Sequence, residues 1–151
     1  PTFGTFEGFH YVVGLPTATM PTTGSASFAL RGFTNPTGSD GSIAPGALGS
    51  GALTADFLRG GVTIFLNPMF GTWGYNVNMI GSIAQGTALM AGGGTANETG
   101  GALPPSSYGC CGCSASFQGA FYGTGASHAG IAYQINATTG ASVSGVAVFQ
   151  K

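Results

Sequence analysis

Three short runs near the C-terminus, Ala115 to Phe121, Ile131 to Ile135 and Ser142 to Phe149, constrain this chain more than any other feature. In the first, Ala115, Phe117, Gly119 and Phe121 fall on one face, while Ser114, Ser116 and Gln118 fall on the other. Ile131, Tyr133 and Ile135 repeat the alternation against Ala132, Gln134 and Asn136. A period of two is that of a half-buried strand. The last run sets Val143, Ala147 and Phe149 on one face and Val146 and Val148 on the other. It is expected to be covered on both sides, which puts the end of the chain in the core.

Glycine explains why strands and not helices should carry the fold. The 151 residues include 29 glycines, and each would cost a helix interior about 1 kcal/mol relative to alanine. In sheets they serve turns, bulges and tight curvature. Disorder is disfavoured by the 43% of hydrophobic residues and the regular aromatics. The length suits one domain with an ordinary core.

Charge excludes several functions. Only Arg31, Arg59, Lys151, Glu7, Asp40, Asp56 and Glu98 are ionised at neutral pH, giving a net charge of −1. No basic patch exists to neutralise phosphates, so nucleic acid is not an expected partner. No apolar run of about 18 residues is present, so no transmembrane helix is expected. The chain begins at Pro1 without Met, and is read as a mature product whose leader was removed.

In order along the chain, Pro1 to Gly14 reads as an N-terminal aromatic arm, with a strand where Phe9, Tyr11 and Val13 alternate against His10 and Val12. Residues 15–151 form the main domain. Pro16 and Pro21 mark a connector, Ser25 to Phe33 a strand, and Asn35 to Ser50 a long surface loop. Ala52 to Leu58 and Val62 to Leu66 form a hairpin about Arg59-Gly-Gly61, and Asn67 to Thr72 turns again. Trp73, Tyr75, Val77 and Met79 make the cleanest alternating face, read as core. Ile80 to Ala91 continues that strand and adds another short one, bending at Gly81 and Gly86. Gly92 to Gly109 is read as a second long loop. Eight to ten strands without a helical pattern predict an all-β fold, a single antiparallel up-and-down barrel of about eight strands with an extended N-terminal arm. Closure also removes edges that so few charges could not protect.

The segments Gly119-Ala-Phe121-Tyr-Gly123, Ala126, Gly130, Tyr133 and Gly145-Val-Ala-Val-Phe149 resemble the closing hairpins of the transferrin-binding-protein-B-like β-barrel domain. Similar barrels occur in bacterial surface lipoproteins and at the C-terminus of some FecR-like proteins. Tyr11-Val-Val-Gly14, Met20-Pro-Thr-Thr-Gly24 and Leu53-Thr-Ala-Asp-Phe57 are similar to the opening of the latter group. The resemblance implies an eight-stranded antiparallel barrel on the bacterial surface, with no catalytic residues to carry over.

The most unusual local feature is Gly109-Cys-Cys-Gly-Cys113. Haem attachment fails because Ser114 stands where histidine is required. A disulfide within the loop, with Cys110 to Cys113 favoured, suits an exported protein. The third sulfur is then left for an intermolecular bridge. Zinc would need a fourth ligand such as His10 or His128, which no spacing rule supports. Asn97-Glu-Thr99 and Asn136-Ala-Thr138 match the glycosylation acceptor pattern, as a Thr-rich chain does by chance. With four carboxylates scattered along the chain, nothing resembles a nucleophile with an oriented base, or paired acids. No catalytic residue, cofactor or metal is expected.

The expected function is therefore non-enzymatic, at the bacterial surface or outside the cell. One reading is a self-associating structural subunit of a filament, sheath or surface layer. In it, Phe3, Phe6, Phe9 and Tyr11 exchange between copies and Cys110, Cys111 and Cys113 supply a cross-link. The alternative is a surface binding module, with a protein or glycan partner, presenting the loops Asn35 to Ser50 and Gly92 to Gly109.

Overall fold

The structure, a computed structural model, describes residue 2 and residues 4–151. Among the described residues there is no helix. Nine strands follow in order: β1 (Ser25–Phe33), β2 (Thr37–Gly38), β3 (Ala47–Asp56), β4 (Gly61–Phe70), β5 (Trp73–Ile83), β6 (Leu89–Gly100), β7 (Cys113–Tyr122), β8 (His128–Asn136) and β9 (Ser142–Gln150). From β3 to β9 each strand pairs antiparallel with the next. β1 joins β3 through pairs such as Phe28↔Leu53 and β9 through Leu30↔Phe149, which closes the ring. Eight long strands thus make a barrel without a free edge, and β2 adds a short pairing to β9 at one rim.

Alternate side chains fill the interior. Phe28, Leu53, Ile64, Leu66, Tyr75, Met79, Ile131 and Phe149 are all buried there, each such group stabilising the fold by about 1.5–3 kcal/mol. Phe121 sits among rings, 5.6 Å from Phe28 and 5.7 Å from Phe57. A lumen filled in this way leaves no ligand channel among the described residues. The buried Tyr133 hydroxyl has no hydrogen-bond partner among the described residues.

Three expected boundaries are corrected. The segment read as a loop from Gly92 is the second half of β6, in continuous register with β5 through Gly81↔Gly92, Met79↔Gly94 and Val77↔Ala96. Glycines carry no side chain to show the alternation, yet they are required here. A Cβ on Gly81 or Gly92 would stand 2.5 or 2.8 Å from the Phe117 ring, which lies over both. β4 runs on to Phe70, so only Gly71 and Thr72 turn before β5. The Asn35 to Ser50 loop contains β2, and β3 already begins at Ala47.

The arm is also corrected: residues 9–13 form no strand. Instead the chain from 8 to 17 lies extended on the outer wall. Thr34 and Thr37 hydroxyls hold the two ring nitrogens of His10 at 2.7 and 2.8 Å. Val12 packs on Gly130, where a Cβ would stand 2.7 Å from its methyl. Pro16 forms an isolated bridge to Tyr122, and the Thr17 N–H donates to the Phe121 carbonyl at 2.9 Å. Val146 faces outward on β9 and is nonetheless buried, as a last strand covered on both faces requires.

Candidate functional site

The two rims of the barrel differ in how much chain they display. Turns 57–60, 84–88 and 123–127 and the C-terminus occupy one. Loops 34–46 and 101–112, with turns 71–72 and 137–141, occupy the other. The two long loops expected from sequence are therefore shortened at their strand ends but brought to the same rim.

Tyr108 locks them together. It is fully buried, its ring centroid lies 6.2 Å from that of Trp73, and its hydroxyl donates to the Asp40 carboxylate of the other loop. The Tyr75 hydroxyl donates to the Tyr108 carbonyl at 2.6 Å, tying the lock to the barrel core. Trp73 is itself stacked on Phe70 at 4.7 Å between centroids. Gly38 lies beneath the Tyr108 hydroxyl, where a Cβ would collide. The Tyr108 hydroxyl, followed by Ser42, holds the Asp40 carboxyl below its usual range. Burial first, and the Asp40 hydrogen bond second, push the Tyr108 phenol up.

The base of loop 101–112 is fastened separately. Cys110 and Cys113 form the disulfide favoured from sequence. The Cys110 N–H donates to the Glu98 carboxylate, and the Thr139 hydroxyl donates to the Ser107 carbonyl. Cys111 is a free, exposed thiol. What remains outside these ties is the tip, where Leu103 is 86% exposed beside Pro104 and Pro105. An apolar side chain held out on a fastened loop, with two prolines restricting the backbone, suits contact with a partner. It supplies no acid, base or nucleophile.

The other expected candidates lie apart from this rim. Among the described arm residues Phe6, Phe9 and Tyr11 are 38, 75 and 66% exposed; Phe3, and Pro1 with it, lies outside the described residues. His10 is an anchor of the arm, with both nitrogens engaged. His128 lies at the start of β8, at the opposite rim, within 2.9 Å of the Ser127 hydroxyl. Among the described residues no three His, Cys, Asp or Glu side chains stand together as a metal site would need. Asn97 and Asn136 are exposed on β6 and β8. At the turn rim, a cleft of about 610 Å³ runs between residues 18–22 and the turns at Leu58, Arg59 and Gly86; Arg59 there is paired with Asp56 at 3.0 Å.

Sequence reasoning did not single out Asp40 or Tyr108. The available signal was an aromatic residue close before the cysteines in a segment otherwise made of Gly, Ala, Pro and Ser.

In class, then, this is a closed antiparallel eight-stranded barrel with a solid interior and its longest loops gathered at one rim. The barrel is similar in fold to one found in transferrin-binding protein B. A mutant of that protein from Haemophilus parasuis Hp5 matches 89% of this chain and 28% of its own, at 16% identity and a TM-score of 0.58. The isotype 1 protein from serogroup B Neisseria meningitidis matches 92% of this chain and 28% of its own, at 20% identity and a TM-score of 0.53. A surface lipoprotein is similar over 89% of this chain and 65% of its own, at 12% identity and a TM-score of 0.55. The chain thus spans little more than a quarter of the transferrin-binding proteins and about two thirds of the lipoprotein. No family model matches the sequence, and no curated protein matches it. At these identities the likeness is one of fold. No helix among the described residues is long and apolar enough to cross a membrane.

Proposed function

We propose that this chain is a non-enzymatic binding module of the bacterial cell surface, which meets an extracellular protein partner with its loop rim. The observation that carries this reading is the Tyr108 lock, which joins the two longest loops, one of which carries the exposed Leu103. Support comes from the similar structures, whose names describe transferrin-binding proteins and a surface lipoprotein. A ready-made loop surface avoids part of the ordering cost of association. The test is surface plasmon resonance against transferrin and a panel of other extracellular proteins, comparing Leu103→Asp with Leu58→Asp at the opposite rim. A partner whose affinity falls at least about tenfold with the first substitution alone supports the reading; equal effects, or no binding across the panel, speak against it.

A second reading, self-association, rests on the arm. Phe9, Tyr11, Val13 and Leu15 are 75, 66, 82 and 88% exposed. The backbone from 8 to 14 makes no main-chain hydrogen bond among the described residues. An extended, uncharged, apolar segment of this kind pairs readily with a copy of itself, and Cys111 offers a cross-link where the surroundings are oxidising. Sedimentation velocity of the protein and its Tyr11→Asp and Cys111→Ser variants tests it. Assembly that is unchanged in both variants excludes the arm and the thiol.

A further inference from the structure

We infer that the channel between the arm and the outer wall of β7–β9 is a binding site for a neutral saccharide. This goes beyond the proposed protein contact, since it uses a different face of the molecule. The channel is about 410 Å³ and open to solvent, roofed on one side by arm residues 8–10, which is within the range of about 300–1,000 Å³ typical of small-molecule sites.

Its floor is a row set by strand register. Ser116 lies directly opposite Gln134, and Gln134 directly opposite Ser144, so three strands present two hydroxyls and an amide side by side. Gln118 adds a second amide one step further along β7, on the same outward face. Hydroxyl and amide groups each donate and accept hydrogen bonds, as sugar hydroxyls do. None of these four side chains is hydrogen-bonded to another described residue, whereas His10 at the edge has both nitrogens taken by threonines. At the rim of the channel Phe9 is largely exposed, and its ring centroid lies 6.1 Å from that of Tyr11 with planes only 31° apart. Phe9, which lines the channel, supplies an apolar ring against which the C–H face of a pyranose can rest.

The lining itself selects the ligand. It holds no ionised side chain, so neither a phosphate nor an ammonium group would be compensated for losing water. Its polar floor is unsuited to an acyl chain. An uncharged ligand that is rich in both donors and acceptors and has one apolar face matches all three elements.

The test is an NMR titration of the intact protein with neutral trisaccharides built on glucose, galactose and N-acetylglucosamine, following the side-chain amides of Gln118 and Gln134. Saturable shifts with a dissociation constant in the order of 1 mM or tighter are expected for at least one sugar. Gln134→Ala and Phe9→Ala should each weaken it by about five- to tenfold, the loss of one hydrogen bond or one stacking contact. Leu103→Ser, at the loop rim, should leave it unchanged. Failure of all three sugars to saturate at about 20 mM, or identical affinity in Gln134→Ala, overturns the inference. All three substitution sites are exposed, so the barrel remains folded in each variant.

Discussion

At single residues the fold shows where space and hydrogen bonding are decided. Tyr133 sits with its ring over Gly145, where a Cβ would be 2.6 Å from the phenol oxygen, and its hydroxyl is buried without a partner among the described residues. Burial also pushes this phenol well above the ordinary tyrosine range. Tyr133→Phe removes a desolvated polar atom while keeping the ring, so urea unfolding should show unchanged or raised stability, by up to about 1 kcal/mol. A clear loss would reveal a hydrogen bond the fold does not show. Tyr108→Phe has the opposite sign, because that hydroxyl is satisfied. Stability should fall by about 1 kcal/mol, and amide exchange should accelerate in loops 34–46 and 101–112 together. Coupled loosening is the diagnostic part, since a local packing defect would affect one loop only. The alternating inward residues, including Phe117, Tyr133 and Phe149, were legible in sequence, because period two needs only side-chain identity. The Asp40–Tyr108 pair was not: 68 positions separate its members, and no local pattern links them.

Among the elements, the arm and β6 mark the limit of pattern reading. Both contain alternation or its absence, and in each case tertiary contacts decided the outcome. Gly92, Gly93 and Gly94 look like loop but complete a ladder: the missing side chain of Gly92 makes room for Phe117, and those of Gly93 and Gly94 let the backbones of the neighbouring strands approach closely. Phe9 to Val13 looks like a strand, but its neighbours on the wall are outward-facing side chains and not an open sheet edge. The closing hairpins β7–β9, which have side chains at every inward position but two, followed the pattern closely. The arm's attachment carries a pH dependence. Burial lowers the His10 pKa from its usual 6.5, so the docked arm favours neutral imidazole and the released arm tolerates the charged form. Docking is therefore fully supported above about pH 6.5 and weakens as the pH falls through that value towards the lowered one. The protection factor of the Thr17 amide, which donates to the Phe121 carbonyl, should fall at about pH 5 relative to about pH 7.5, and His10→Phe should abolish the difference. A protection factor that is insensitive to pH would remove histidine from the attachment.

For the whole molecule, closure of the barrel separates stability from function. Phe121, ringed by Phe28 and Phe57, is a core anchor; Phe121→Ala should cost about 3–5 kcal/mol by chemical denaturation. Removing the disulfide with Cys110→Ser and Cys113→Ser together should cost only about 2 kcal/mol, because the loop it closes is so short, and the barrel should persist. The proposed contact surface, in contrast, lies outside the core, on loops whose tip can vary without disturbing the strands. The most direct measurement of that division uses a photo-activated cross-linker placed at Leu103 on the loop rim or at Leu58 on the turn rim, in protein exposed to transferrin and the other extracellular proteins of the panel. Adducts to one partner protein from position 103, with none from position 58, are predicted. Adducts from position 58 alone, or equally from both, would contradict a binding surface at the loop rim.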